Sequence, residues 1–325
     1  MAQPEEALRT PIRMSVIIST RNRAEQVRLC LEALIHQQGI ARDAYEIIVV
    51  DNGSEDHTQQ VVSDIQRQFD QLRYLYEAKL GLSAARNAGV CQANGEIISF
   101  TDDDAIPTPQ YVAELLSPYS DPAVTCVGGK IVAAWPDGTP PDWFCPRYAN
   151  VVGQTSFGQS PRLMRKGEFP FGGNISFRKE VFQALGGFDE NLGKRGDNNV
   201  WGEEIDLCHK LQRRGAQFFY NPGAQIAHIV GRARATKRHF VESIFGKAVT
   251  EGHQKLAHKG KIVFAIYLLL KAARLVAASA YYLVAGPWLS EAGKFRLRCA
   301  ISWYAGYLYF LAVRDDLGSV TRSGG

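Results

Sequence analysis

Three consecutive carboxylates, Asp102, Asp103 and Asp104, follow the strand-forming run Ile97-Ile98-Ser99-Phe100 and precede Pro107, which forbids simple continuation of a strand. A buried strand that stops in an acidic cluster puts several hard oxygen ligands at a sheet edge. That donor chemistry holds Mg²⁺ or Mn²⁺ while phosphate oxygens complete the coordination. An acidic turn would use the same residues without any metal. A second acidic group, Glu203, Glu204 and Asp206, follows Trp201-Gly202 at the start of a helix pattern whose inner face carries Leu207 and Leu211. Carboxylates there also suit the helix dipole, so one or two of them can be purely structural.

The elements before the aspartates alternate. Met14 to Ser19 is a short apolar strand ending in Thr20-Arg21-Asn22-Arg23, and Val27, Leu31, Leu34 and Ile35 then mark one face of a helix, with Asn22 and Glu25 spaced as in a capping box. Glu46 to Val50 is a second strand reaching Asp51-Asn52-Gly53-Ser54. The helix expected after it has Val61, Val62, Ile65 and Phe69 along one side and Glu55 and Asp56 in its first turn. Arg73 to Tyr76 is a third strand, and Leu82 to Ala93 a helix stopped by Asn94-Gly95. Continuous apolar strands alternating with helices predict a mostly parallel sheet covered on both faces. Ligands of such sheets bind beyond the carboxyl ends of the strands, where Thr20, Arg21, Asp51 and the three aspartates fall.

A nucleotide is the natural occupant of that edge. Asp51 can accept hydrogen bonds from a ribose hydroxyl or a base N–H, or it can cap a turn, a role that suits Ser54 better. Lys79 and Arg86 flank the next loop and can meet phosphate or remain solvated surface charges. No G-x-G-x-x-G follows the first strand and no G-x-x-x-x-G-K-[ST] occurs, which argues against a dinucleotide dehydrogenase and a P-loop enzyme.

Four segments carry a family resemblance: Val16-Ile17-Ile18-Ser19-Thr20-Arg21-Asn22-Arg23, Ile48-Val49-Val50-Asp51-Asn52-Gly53-Ser54, Gly81-Leu82-Ser83-Ala84-Ala85-Arg86-Asn87-Ala88-Gly89 and Phe100-Thr101-Asp102-Asp103-Asp104. In this order and spacing, residues 14 to 235 resemble family 2 glycosyltransferases. The resemblance implies a GT-A fold, a Rossmann-like, mostly parallel α/β sheet flanked by helices. It also implies a nucleotide-diphosphate-sugar donor (a UDP-sugar first among them), Mn²⁺ or Mg²⁺, and inversion at the anomeric carbon. Donor contacts would then come from Thr20, Arg21, Asn22, Asp51, Lys79, Arg86, Asp102 and Asp103. The metal would sit on Asp104 and Asp102, with His228 completing the metal or diphosphate site, and Arg232 and Arg234 could bind diphosphate. Gly173 and Asn174 would line the sugar site: paired glycines admit a ligand close to the backbone, and Asn174 offers both a donor and an acceptor. An inverting transfer needs a carboxylate to deprotonate the acceptor hydroxyl. The resemblance puts that base at Glu204, with Asp206 second and Glu203 in the same group.

Trp135 to Phe169 reads as an irregular, proline-rich loop. Its aromatic residues Trp143, Phe144, Tyr148 and Phe157 fit packing better, one by one, than stacking on sugars. Charge divides unevenly along the chain. Residues 1–231 hold 22 Lys+Arg against 28 Asp+Glu, a net of −6, whereas residues 232–298 hold 13 against 3, a net of +10. A basic segment of that kind meets phosphate, on nucleic acid or an anionic membrane. Three apolar runs lie there, Ile262 to Leu270, Leu275 to Leu289 and Cys299 to Val313. None reaches cleanly the roughly 20 residues of a spanning helix, and their basic and aromatic neighbours suit helices in the membrane interface. A helical bundle packed on the catalytic domain, a dimer interface or two closely spaced spans are the alternatives. The six cysteines are scattered without a C-x-x-C pair, which predicts reduced thiols in a cytosolic setting, and Met1 to Arg13 lacks the apolar core of a signal peptide.

These readings predict a flexible tail over 1–13, a GT-A domain over 14–238 (nucleotide half 14–107, acceptor half 108–238) and a helical, membrane-associated region over 239–325. The expected activity is metal-dependent transfer of a sugar to a hydroxyl of a polysaccharide or lipid-linked glycan. The setting would be the cytoplasmic side of a membrane, peripheral or shallowly inserted, with no nucleic-acid partner. A nucleotidyltransferase and a non-catalytic membrane-bound assembly partner are the competing readings.

Overall fold

The computed structural model describes residues 11–155, 157–194, 202–259 and 261–320. The chain forms two compact units, one comprising residues up to Ala133 with Gly153–Ile229, the other Ala134–Val152 with the residues from Val230 onward. The stretch 134–152, read from sequence as part of one long loop, therefore belongs with the C-terminal helices.

In the first unit the strand–helix alternation is present as expected: β1 (Met14–Thr20), α1 (Ala24–Leu34), β2 (Tyr45–Asp51), α2 (Thr58–Gln66), β3 (Leu72–Tyr76), α3 (Leu82–Gln92) and β4 (Ile97–Asp102). Next come β5 (Ala105–Pro107), α4 (Tyr111–Leu116), β6 (Val124–Ala134), β7 (Arg162–Leu163), β8 (Asn174–Arg178), α5 (Glu180–Leu185), α6 (Glu203–Arg213) and β9 (Gln217–Ile229). The strands form one sheet in the order β3-β2-β1-β4-β8-β6-β9-β5, with β7 paired to β9. The half from β3 to β4 is parallel, whereas β8 joins β4 antiparallel and β5 and β7 join β9 the same way. The sheet is thus mixed, its antiparallel half built by the residues after the aspartates.

Alternate residues of the parallel strands feed two cores. Val16, Ile18, Ile47 and Val49 pack with Val27, Leu31, Val61 and Val62 of α1 and α2 on one face. Ile17, Ile48, Val50 and Phe100 pack with Ala85, Phe182 and Leu207 on the other. A strand buried on both faces carries apolar side chains on both, which is why residues 16–18 and 47–50 read as hydrophobic runs. The buried Ser15 and Glu46 before them hydrogen-bond to each other at 2.6 Å. Phe100 anchors the second core edge-on against Phe177, Phe182 and Phe188 at 6.4, 5.9 and 5.2 Å between ring centres.

Two local expectations fail at helix starts. Asn22 does not cap α1: it adopts the left-handed conformation (φ 53°), and its Oδ1 accepts from the Glu55 N–H across the sheet edge at 2.7 Å. Glu55 and Asp56 precede α2 instead of entering its first turn. Asp56 accepts from the N–H groups of Thr58 and Ala24 at 3.0 and 3.2 Å, so one carboxylate fastens the starts of both helices. Residues 217–229 form the single long strand β9.

The second unit contains α7 (Lys237–Lys259), α8 (Lys261–Ala285) and α9 (Glu291–Val320). Gly306 of α9 has no room for a side chain, since a Cβ there would lie 2.5 Å from the Phe245 carbonyl oxygen of α7. Trp143 stacks edge-on against Phe240 and Phe295, and Phe144 against Trp135 and Phe240, so both are packing residues. Phe157, in the first unit, packs on Phe171 and Tyr220. The apolar runs at 262–270 and 275–289 form one continuous helix and its extension. Phe264–Trp288 is long and apolar enough to cross a membrane, with mean hydropathy 1.5, and most of its residues are not buried. Lys271 and Arg274 do not interrupt it. All six cysteines are free, Cys30, Cys126, Cys208 and Cys299 being buried.

Gly129, in the antiparallel half, supplies a prediction. A Cβ there would lie 2.0 Å from the Ala224 carbonyl oxygen and 2.4 Å from Asn174 Nδ2. Gly129→Ala should therefore lower stability by about 1–3 kcal/mol, as overpacking does elsewhere, read as a reduced urea midpoint with unchanged slope. An unchanged midpoint would mean β6 and β9 can separate without cost.

Candidate active site

Register brings the acidic cluster to the other candidates. Thr20 pairs with Asp51 across β1 and β2, and Ser19 with Asp102 across β1 and β4. The carboxyl ends of three strands therefore finish level. On the far side Ala105 pairs with His228 of β9, which delivers the histidine next to Asp104.

The three consecutive aspartates occupy three different environments. Asp103 is buried, accepts from Thr20 Oγ1 at 2.8 Å and from Arg23 Nη1 at 2.8 Å, and its carboxyl is pushed up to about 6 by burial against the pull of Arg23. Asp104 is also buried. Its Oδ2 accepts from the same Arg23 Nη1 at 3.0 Å, and its Oδ1 lies 3.2 Å from His228 Nε2. Asp102 keeps 43% of its side chain exposed and lies 3.9 Å from Arg86 Nη2. Desolvation in the recess, followed by repulsion from Asp104, raises its carboxyl above the ordinary range.

Asp102, Asp104 and His228 each offer a ligand atom, all within 4.8 Å of one another. Two carboxylates and an imidazole form a donor set suited to a divalent cation of the Mn²⁺ kind. Gly173 closes over one of these ligands. A Cβ at that position would lie 2.3 Å from Asp102 Oδ2, so only glycine lets the chain pass there.

The nucleotide-side candidates are organised by loop-to-loop hydrogen bonds. Asp51 is buried, accepting from the Ser54 N–H and from the Tyr74 hydroxyl, each at 2.8 Å. The turn-capping role expected of Ser54 thus falls to Asp51, while Ser54 Oγ accepts from the Asn22 N–H at 2.8 Å. Asn52 binds the loop before α3, donating to the carbonyls of Glu77 and Lys79 at 3.0 and 2.8 Å and accepting from the Gly81 N–H at 2.8 Å. Arg21 is exposed, as is Lys79, which pairs with Glu190.

The second acidic group separates into three roles. Glu203 is buried and accepts from Arg86 Nη1 at 2.8 Å, and Arg86 Nη2 donates to the Gly172 carbonyl at 2.9 Å. Arg86 is itself buried, its guanidinium over the rings of Phe100 and Phe188, so it is committed to Glu203 and not open to a phosphate as a surface cation would be. Asp206 pairs with Lys210 one turn along α6 at 2.6 Å. Glu204 is left beside Gly172, and burial, then the adjacent Glu203, push its carboxyl up to about 7. Asn174 is fully buried. Its amide donates to the carbonyls of Lys130 and Ala224 at 3.1 and 2.9 Å, which makes it a residue that joins strands. Trp201, quoted with this acidic group, lies outside the described residues.

Sequence reasoning passed over Arg23, the clamp on Asp103 and Asp104, and Asn52. Both stand inside segments that carried the family resemblance, beside residues that drew attention first. A lone Arg after a strand gives no sign that it will turn back across the sheet edge.

The fold and this edge together define a GT-A glycosyltransferase. The chain belongs to glycosyl transferase family 2, whose family model matches residues 15–186. It is 27% identical over 223 residues to a glucosyl-dolichyl phosphate glucuronosyltransferase of Haloferax volcanii, spanning 67% of this chain and 69% of the relative. It is 32% identical over 199 residues to the glycosyltransferase AglE of the same organism, spanning 61% and 63%. Among solved structures, a mannosyltransferase from Pyrobaculum calidifontis, in complex with GDP-Man and Mn²⁺, superposes over 93% of this chain and 86% of its own. The TM-score is 0.64 at 20% identity, a likeness of fold.

The Arg86–Glu203 pair is testable on stability alone. Removing one partner of a buried pair strands the other charge, so Arg86→Met should cost about 3–5 kcal/mol. Arg86→Met combined with Glu203→Leu should recover most of that loss in urea titrations. If the double substitution is no better than the single, the stranded carboxylate is not the cause.

Proposed function

We propose that the protein moves a sugar from a nucleoside-diphosphate sugar to a hydroxyl of a glycan or lipid-linked acceptor in one inverting step dependent on a divalent cation. The observation that carries this reading is the grouping of Asp102, Asp104 and His228 within 4.8 Å at the strand ends. The family membership places the chain among glycosyltransferases and away from the nucleotidyltransferase alternative. Asp104, Asp102 and His228 would hold Mn²⁺, or Mg²⁺, which would supply positive charge against the diphosphate as negative charge develops on it.

This chain's own residues do the rest. Asp51, Asn22 and Asn52 shape the nucleotide edge, with Thr20, Arg21 and Lys79 beside them and a uridine nucleotide as the first donor to try. Asp103, held by Thr20 and Arg23, fixes the two aspartates on either side of it. Glu204 takes the proton of the acceptor hydroxyl as that oxygen bonds to the anomeric carbon. The electron pair of the broken C–O bond leaves on the diphosphate. Glu204 fits the role of base because Arg86 engages Glu203 and Lys210 engages Asp206. Backbone closeness at Gly172 and Gly173, with Glu204 and Asp102 against them, supports a sugar-binding role for this segment.

A lipid-linked acceptor is favoured by the exposed apolar helix α8 and by the name of the Haloferax volcanii relative, which specifies a dolichyl phosphate compound. We place the protein at the cytoplasmic face of a membrane, held through the basic and apolar region after residue 238.

Two measurements test the reading. In calorimetry with Mn²⁺ and a nucleoside diphosphate, Asp104→Ala should abolish metal-dependent binding and sugar transfer together. Transfer that continues at the wild-type rate removes the metal site. Glu204→Gln should retain donor binding while lowering transfer by about 10²–10⁴-fold, the usual contribution of a positioned base. A base must be ionised to act, so wild-type turnover should fall as pH drops through about 7 and level off above it. A flat profile, or full activity in Glu204→Gln with loss in Asp206→Asn, would pass the role to Asp206.

A further inference from the structure

The second unit contains a cavity of about 520 Å³ whose lining includes Arg147, Lys247, Lys271, Arg274 and Arg296 and, among the described residues, no carboxylate. Arg147, Lys271, Arg274 and Arg296 have no hydrogen-bond acceptor or ion-pair partner among the described residues, while Lys247 donates to the Asn150 carbonyl. Lys271 is the informative one. It is buried, and its ammonium stands 4.7 Å from the ring centre of Tyr267, 4.8 Å from Tyr307, 5.5 Å from Tyr304 and 5.8 Å from Trp303. Aromatic faces attract a cation but do not neutralise it as an anion would, and this ammonium lines the cavity, where an anion can reach it. An anion in the cavity would also meet Arg274, one turn along the same face of α8.

What adjoins these cations narrows the anion. The outer surface of α8 carries Leu269, Leu270, Val276, Leu283 and Val284, each more than half exposed, and Trp288, 82% exposed, follows the helix. From Arg274 to Val284 this stripe runs about 15 Å at the helical rise. Leaving so continuous an apolar surface in water is unfavourable, and soluble proteins seldom do it. Setting Arg274 in hydrocarbon without a counter-anion would be unfavourable as well. One ligand resolves both problems: an amphiphile with an anionic head and a hydrocarbon tail.

We propose that this cavity receives the terminal phosphate of a membrane lipid, with Lys271, Arg274 and Arg296 on the phosphate and the lipid's tail along the exposed stripe of α8. This goes beyond a general affinity for membranes, since it assigns a headgroup and the residues that read it. It stands whether or not the first unit transfers sugar.

Flotation of the full chain with vesicles tests it. Phosphatidylcholine vesicles doped with phosphatidic acid, which ends in a phosphate, are compared with vesicles of equal surface charge doped with phosphatidylglycerol, which does not. The expected result is clear preference for phosphatidic acid. Arg274→Gln with Arg296→Gln, both exposed positions, should reduce that preference about tenfold, each surface cation being worth a few-fold. Binding to plain phosphatidylcholine should persist. Lys271→Met should act similarly if its melting curve matches wild type. Equal binding to both anionic vesicles, or variants that keep the preference, would reduce the cavity to non-specific charge and overturn the proposal. Thermal protection by soluble pyrophosphate equal to that by micellar phosphatidic acid would identify a soluble anion as occupant and overturn the lipid assignment. Donor hydrolysis measured in parallel should be unchanged in Arg274→Gln. A failure of the transferase reading is thereby separated from a failure of this one.

Discussion

Carboxylates packed into a water-poor edge must be balanced by cations, and the geometry of the first unit follows from how that is done. Asp103 and Asp104 are both buried, and desolvation alone would keep such groups protonated. One guanidinium, Arg23, spans them from the loop after β1, and His228 approaches Asp104 from β9. Arg86 stands between the two acidic groups, 2.8 Å from Glu203 and 3.9 Å from Asp102. The opposing charges come from distant parts of the chain, so the site exists only when the whole sheet is assembled. A further positive charge on Asp102 and Asp104 would complete this balance.

The two halves of the sheet divide the labour. Parallel strands can end level because each returns through a helix, and the turns after β1, β2 and β3 thereby stack into a single edge. Hydrogen bonds from Asn22 to the Ser54 loop and from Asn52 to the loop before α3 fix that stack. The antiparallel half brings elements a parallel crossover would place elsewhere. β8 begins at Asn174 directly opposite Thr101, so Gly172-Gly173 must pass over Asp102, and β9 carries His228 to the start of β5. Asn174 is buried because it holds these strands together.

The parallel half was legible because its signals are local. Unbroken apolar strands, helical spacing in Val27-Leu31-Leu34 and the glycine stop after α3 each depend on a few neighbouring residues. The acidic cluster was legible for the same reason. Roles set by partners far along the chain were not. Nothing near Arg86 announces that residue 203 will claim it, so it reads as a surface cation. Three adjacent aspartates look alike until Thr20 and Arg23 single out Asp103. Asn22 resembled a cap because Glu25 stands three residues later, yet its side chain turns to Glu55 once β1 and β2 are paired. The resemblance to family 2 supplied Glu204 and His228, which periodicity and spacing could not have chosen. The grouping of 134–152 with the C-terminal helices was equally hidden, since it rests on Trp143 and Phe144 meeting Phe240, and Trp143 meeting Phe295, far along the chain.

Helix α8 inverts the usual arrangement of a helix in water. Lys271 faces inward beside Phe264 and Leu268, among Tyr267, Trp303, Tyr304 and Tyr307, while Leu269, Leu270, Val276, Leu283 and Val284 face outward. Read as a string, Lys271 and Arg274 seem to cut an apolar segment into two pieces too short to matter. Folded, Lys271 is buried among the rings of α8 and α9 and the exposed Arg274 lines the cavity, so one helix continues through both. A soluble bundle gains stability by placing these residues the other way round. The orientation is favourable where the surroundings are apolar and the cations have an anion to bind, and the cavity lined by Lys271, Arg274 and Arg296 is where the proposed phosphate would supply it.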